Sequence, residues 1–251
     1  MTAELAIPLL LLLVAFLYAS VGHGGASGYI AVLTLFSIPM QEYKPVVLVM
    51  NIIIAGIAFV QFARAGYFKW KLAWPFLLTS IPCAYIGSHQ HFIASEKLYN
   101  FLLGIALVFP IIRLLSNAPK EKREMKELNL FVALSCGAII GLASGFLNIG
   151  GGIFLSPVII LLAYGHTKDA AAVSSLFIVC NSLAGLAAVK LASNSFPTTS
   201  YIWIAAAVAG GLSGAYLGSH KFKLTTVRYI LSAVLCIAAV KLIIDGIKGF
   251  I

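Results

Sequence analysis

The apolar residues of this chain run in long blocks broken by short polar or glycine-bearing gaps. Blocks fall at residues 4–20, 26–38, 45–63, 70–88 and 97–115, then at 128–147, 152–164, 169–190, 200–219 and 225–248. A helix that crosses a bilayer needs about 20 predominantly apolar residues, and most blocks approach that length. The pattern predicts an all-α polytopic membrane protein of ten helical segments, five in each half.

The halves look alike. AYIGSH at Ala84–His89 recurs as AYLGSH at Ala215–His220, an offset of 131 positions. Each half runs in the same order: a glycine break, an apolar helix with an asparagine (Asn51, Asn181), the AY(I/L)GSH helix, then a helix with Tyr99 or Tyr229. The breaks themselves align near an offset of 127, so a few residues are inserted between. This order predicts a duplicated chain: residues 1–115 as the first membrane repeat, 116–127 as a polar cytoplasmic linker, and 128–251 as the second repeat. Five segments per half place the second repeat upside down relative to the first, the inverted-repeat plan of many secondary transporters.

The second segment of each repeat is too short to span. Residues 26–38 and 152–164 are 13 each, about 20 Å of helix against a core of about 30 Å. Both are expected to be re-entrant or half-spanning, closed by Pro39 and Gly165. Each opens at a glycine cluster, VGHGGASG in the first half and GFLNIGGGIFLSP in the second. Glycine weakens a helix interior by roughly 1 kcal/mol relative to alanine, so these clusters break helices. A helix that begins within the membrane presents free N–H groups and the positive end of its dipole, and bare glycine lets an oxyanion approach closely. Irregular backbone survives at that depth only when buried in protein or lining a cavity. Two such starts, converging from opposite leaflets, predict an anion site between the repeats.

The candidate substrate-binding residues are His23, Gly24, Gly25, Ser27 and Asn51 in the first repeat. Asn148, Gly150, Gly151, Gly152, Ser174, Ser175 and Asn181 are the candidates in the second. Polar residues inside a membrane are functional candidates, although Ser and Asn also serve as interhelical hydrogen-bond partners. Glycines spaced four apart, Gly137, Gly141 and Gly145 and then Gly210, Gly214 and Gly218, read instead as tight helix packing.

Composition sharpens this picture. Of 251 residues, 61% are hydrophobic and 10% charged, against about 25% charged in a soluble domain. The formal charge of +9 does not mark a nucleic-acid face, because the basic residues lie in short loops. Loops 64–71, 113–127, 165–169 and 219–228 hold twelve of the 17. That side is predicted cytoplasmic by the positive-inside rule, which leaves both termini outside. Residues 4–20 are read as a first membrane helix and not a signal peptide, since Glu4 stands where basic residues would.

The acidic residues fall at helix ends or in loops, Asp169 as a helix cap. A cation pathway or carboxylate proton relay therefore has little support. Proton coupling falls to His23, the substrate or an acid at a helix end. Cys83, Cys136, Cys180 and Cys236 stand singly in apolar segments, which points to neither disulfide nor metal. No nucleophile–base pair is visible, so neither catalytic residues nor a cofactor is expected.

The stretch from Gly145 to Phe177, with its glycine turn, Pro157 five residues on, and an Ala/Ser-rich helix start, resembles the TauE/SafE sulfite exporter-like family. The first half carries a weaker copy, in which Ile30 stands about where Pro157 would. The resemblance implies a bacterial inner-membrane carrier for a small sulfur-containing anion, such as sulfite or an organosulfonate. An anion channel with the same site, or a carrier of a non-sulfur organic anion, is the alternative. Exposed helix faces permit a homodimer.

Overall fold

The computed structural model describes residues 3–38, 40–89, 96–115, 125–188 and 198–221, then 229, 232, 236, 239–240 and 242–247. Linker residues 116–124, Pro39 and most of block 225–248 lie outside the described residues. So do the basic side chains of Arg113, Lys120, Lys122, Arg123, Lys223 and Arg228.

Every regular element among the described residues is an α-helix. They are α1 (Ala3–Ser20), α2 (Ala26–Leu35), α3 (Met40–Arg64), α4 (Trp70–His89), α5 (Glu96–Leu115), α6 (Leu130–Leu147), α7 (Gly152–Leu161), α8 (Thr167–Ala188) and α9 (Thr198–His220). By length and composition, Tyr43–Arg64, Leu130–Leu147, Thr167–Ala188 and Thr198–His220 are each able to cross a membrane. Large apolar side chains face outward, with Phe131 79%, Ile139 69% and Leu78 62% exposed. A water-soluble surface does not tolerate such a belt, whereas lipid covers it.

The two short helices are shorter still than their apolar blocks, at 10 residues each, about 15 Å. Their ends are not set by Pro39 and Gly165. Each closes earlier, in a Schellman turn around a left-handed residue, Ser37 (φ 57) or Ala163 (φ 58). The closing bonds run from Ile38 N–H to the Leu33 carbonyl and from Tyr164 N–H to the Ile159 carbonyl, at 3.1 and 3.0 Å. Such turns satisfy orphan carbonyls that have no water to turn to. α3 also starts earlier than expected, at Met40, with Pro45 inside the helix.

Packing follows the glycine ladders. α4 lies along α6, and α1 along α9. Gly137, Gly141 and Gly145 meet the backbones of Phe76, Ser80 and Ala84; Gly210, Gly214 and Gly218 meet those of Leu12, Phe16 and Ser20. A Cβ added at Gly141 would come within 2.5 Å of the Ser80 carbonyl oxygen, so these helices touch backbone to backbone. The ladders are packing surfaces, as their spacing predicts.

At the centre, α3 and α8 cross antiparallel. Phe62 clusters with Ala171 and Ala172 toward one end. Asn51 bonds Ser182 in the middle, and Leu48 approaches Gly185 beyond it. Toward the Phe62 end, Lys69 Nζ reaches Asp169 Oδ2 at 2.7 Å. Asp169 also accepts from the His166 N–H at 3.1 Å, so it caps the start of α8 as expected and holds the α3–α4 loop as well.

Candidate functional site

The glycine breaks are two copies of one backbone device that differ at one position, Gly150 being left-handed (φ 72) where Gly24 is not. α1 ends in a Schellman turn with Gly22 left-handed (φ 79), and α6 ends in the same turn with Asn148 left-handed (φ 54). His23 N–H closes onto Tyr18, and Ile149 N–H onto Ser144, at 2.9 and 3.2 Å. Two residues later Gly25 (φ 100) and Gly151 (φ 76), again left-handed, serve as N-caps of α2 and α7. Only glycine adopts that conformation without a Cβ penalty, which is why the clusters stand there. Each pair, Gly22 with Asn148, Gly25 with Gly151 and Ser37 with Ala163, is separated by the same 126 positions. The structural counterpart of Asn148 is therefore Gly22, and that of His23 is Ile149.

All twelve candidate residues are buried, and most gather in two connected clusters. Asn51 joins the first. Its Oδ1 accepts the Ala26 N–H at 3.1 Å, capping the start of α2 from a neighbouring helix, and its Nδ2 donates to Ser182 Oγ at 2.8 Å. Gly24 and Gly150 both press on this side chain. In the second cluster His23 Nε2 stands 3.4 Å from Ser156 Oγ, which donates to Ser174 Oγ at 2.8 Å. His23 Nδ1 lies 3.0 Å from its own turn's Val21 carbonyl. Gly152 packs on Ile178 and on the Ser174 carbonyl, bringing the clusters side by side.

The remaining candidates sit at the margins. Ser27 meets Tyr18 at 2.8 Å, and Tyr29 donates to the Gly24 carbonyl at 2.7 Å. Asn181 Oδ1 accepts from Ser80 Oγ at 3.0 Å. Ser175 is not brought to the breaks by any bond of its own; its hydroxyl donates to Ala172 one turn back in α8.

Two kinds of polar group have no protein partner. The amides of Gly150, Gly151, Gly152 and Ile153 find no acceptor among the described residues. Asn181 Nδ2 and Asn148 Oδ1 are likewise buried and unpaired. Buried polar groups are rarely left this way, because each one costs about 1–3 kcal/mol. Ile140, Phe177 and Ile178 pack against Gly151 and Gly152, while Asn51 and Ser182 face Gly150, so the unpaired amides lie in a buried, partly apolar medium that strengthens any hydrogen bond they make.

Ser156 and Ser182 belong to these clusters, and Ser80, Tyr18 and Tyr29 bond the candidates at their margins; none was singled out by sequence. One signal for Ser182 was in reach: it lies 131 positions after Asn51, the same offset as the AY(I/L)GSH repeat.

These features define a multi-pass helical membrane protein whose buried polar centre is built at two interrupted helices. Comparison with known proteins narrows the class. A family model described as "Sulfite exporter TauE/SafE" matches residues 7–242, and the chain belongs to that family of membrane transporters. It is 32% identical over 246 residues to "Probable membrane transporter protein y4hK" of Sinorhizobium fredii, covering 96% of this chain and 99% of the relative. It is 30% identical over 132 residues to "Probable membrane transporter protein MJ0441" of Methanocaldococcus jannaschii, covering 52% and 49% of the two chains. No solved structure matches it significantly.

Proposed function

We propose that this protein is a secondary transporter of a small sulfur-containing anion, such as sulfite or an organosulfonate, in a bacterial inner membrane. The anion binds at the starts of α2 and α7. Residues 1–115 and 128–251 act as inverted repeats that rock about the α3–α8 crossing, with both termini outside and linker 116–127 in the cytoplasm.

The observation that carries this reading is the run of unpaired amides from Gly150 to Ile153, buried at the start of a helix. Aligned amides and a helix dipole favour negative charge, and no basic side chain is needed to make the seat. Inverted repeats are supported by reciprocal packing: first helix with fourth across the halves in both directions, and third with third antiparallel. The burial of the whole centre favours a carrier with an occluded state over an open channel. The sulfur chemistry rests on family membership.

The test is flux. Protein reconstituted in vesicles is expected to take up labelled sulfite or an organosulfonate saturably and to show counterflow. A preparation that moves neither, and binds no small oxyanion, overturns the proposal; single-channel currents would replace the carrier with a pore.

A further inference from the structure

Away from the buried centre, α4 and α8 leave a groove of about 540 Å³ on the outer face of the bundle. Trp70, Trp74, Leu78 and Pro82 line it from α4, and Leu176 and Cys180 from α8. No charged side chain enters the lining. From Trp70 to Pro82 the groove runs about 18 Å along α4, close to the depth of one leaflet in a hydrocarbon core about 30 Å thick. Volume over length gives a mean section of about 30 Å², against about 80–110 Å² for an α-helix 10–12 Å across. The groove suits an extended hydrocarbon chain and is too narrow to seat a helix. Trp70, 60% exposed, stands at its mouth, the level tryptophan takes at a membrane interface.

The Trp70 end of the groove is basic. Lys71, exposed and in no ion pair among the described residues, precedes Trp74 by three positions and Leu78 by seven, so it heads the same face of α4. Arg64, Lys69, Lys126 and Lys168 lie at this end of the bundle too, against Glu127 and Asp169 among the described residues. The second repeat lacks the arrangement. At the AY(I/L)GSH offset of 131 positions, Trp74, Leu78 and Pro82 become Ala205, Ala209 and Ser213, and Lys71 becomes Ile202. Neither the repeated fold nor ordinary contact with lipid therefore requires these side chains. We propose that the groove holds one acyl chain of an anionic glycerophospholipid from the leaflet at that end, with its phosphate at Lys71. The apolar walls hold the chain, and the basic end selects an anionic headgroup over a zwitterionic one. This site is separate from the centre at α2 and α7 and does not depend on what is transported there.

The experiment reads tryptophan fluorescence of the full chain in phosphatidylcholine bilayers that contain a small fraction of brominated lipid, which quenches on contact. Two of the three tryptophans line the groove, and the third, Trp203, is buried at 9% exposed. Brominated phosphatidylglycerol is expected to quench saturably, with a preference over the bulk lipid of roughly fivefold or more, the effect of one basic residue at a membrane surface. Brominated phosphatidylcholine should show no preference. Lys71→Ala should lower the phosphatidylglycerol preference about fivefold. Cys180→Phe, which fills the groove and keeps every basic side chain, should abolish saturable quenching. Equal quenching by the two brominated lipids in the wild type overturns the proposal, and that comparison needs no variant. A preference that survives Cys180→Phe also overturns it, because surface charge alone would then gather the lipid. Tryptophans shielded from both lipids, together with cross-links between copies, would assign the groove to a second copy of the chain and overturn it as well.

Discussion

Asn51 bridges a helix start and the opposite half of the molecule, and its two bonds are unequal in cost. Replacing it with leucine keeps the volume close and removes both. The Ala26 N–H, buried at the start of α2, loses its acceptor at 3.1 Å; stranding such a donor costs about 1–3 kcal/mol. The 2.8 Å bond to Ser182 disappears too, at about 0.6–1 kcal/mol by the measure of interhelical bonds in membranes. Asn51→Leu is therefore expected to cost about 2–4 kcal/mol, which lowers the unfolding temperature by about 4–16 °C in a protein of this size. Ser182→Ala removes only the second bond but strands one buried donor, Asn51 Nδ2, at about 1–3 kcal/mol, so it is expected to lower it by about 2–12 °C. Thermal unfolding of the two variants and the wild type in one detergent measures the difference. A shift under about 1 °C for Asn51→Leu refutes the idea that Asn51 holds the start of α2.

Three further expectations follow from particular glycines. Gly56 sits mid-helix in α3 with nothing within 4 Å of an added Cβ, so Gly56→Ala should raise the unfolding temperature, by up to about 1 kcal/mol in stability. Gly214→Ala places the same methyl against the Phe16 carbonyl and should cost about 1–3 kcal/mol by prising α1 from α9. Gly152→Leu, which forces a side chain into Ile178 and over the α7 amides, should abolish transport in vesicles while leaving protein that still purifies. Undiminished flux would refute close approach of the anion.

Much of the fold was legible because membrane helices must be apolar and must satisfy their own backbone. Block lengths gave nine of the described helices nearly as observed, and four-residue glycine spacing gave the two tight interfaces. The breaks were legible as breaks, since Gly150, Gly151 and Gly152 have no other reason to interrupt so apolar a run. Their internal correspondence was not. A left-handed residue is Gly22 in one copy and Asn148 in the other, Ser37 in one and Ala163 in the other, so the repeat resides in backbone angles that residue identity hides. The same holds for Ser156 and Ser182. A lone serine in a helix bonds its own backbone as often as a neighbour, as Ser175 does, and only packing decides which.

The two offsets together locate an asymmetry. The breaks and short helices repeat at 126 positions, but Asn51 and Ser182, which meet at the crossing, are 131 apart. The five extra residues lie between Tyr164 and Ser182, one in the loop and four as an added turn of α8. That turn carries Lys168 and Asp169. Lys168 Nζ donates to Tyr67 Oη at 3.2 Å and to the Ser219 carbonyl at 3.0 Å, and Asp169 takes Lys69. The added turn thus ties the α3–α4 loop and the end of α9 to α8, on the side that the positive-inside rule predicts to be cytoplasmic. If the tie holds that side shut, cutting it should act on transport more than on folding. Asp169→Ala loses a cap and a pair whose lysine side chain is 53% exposed, so its stability cost stays near 1–2 kcal/mol. Lys69→Ala should cost about 1 kcal/mol or less. Both are expected to raise passive leak of sulfite from loaded vesicles relative to wild type. A leak unchanged in both variants would reduce the added turn to a packing detail.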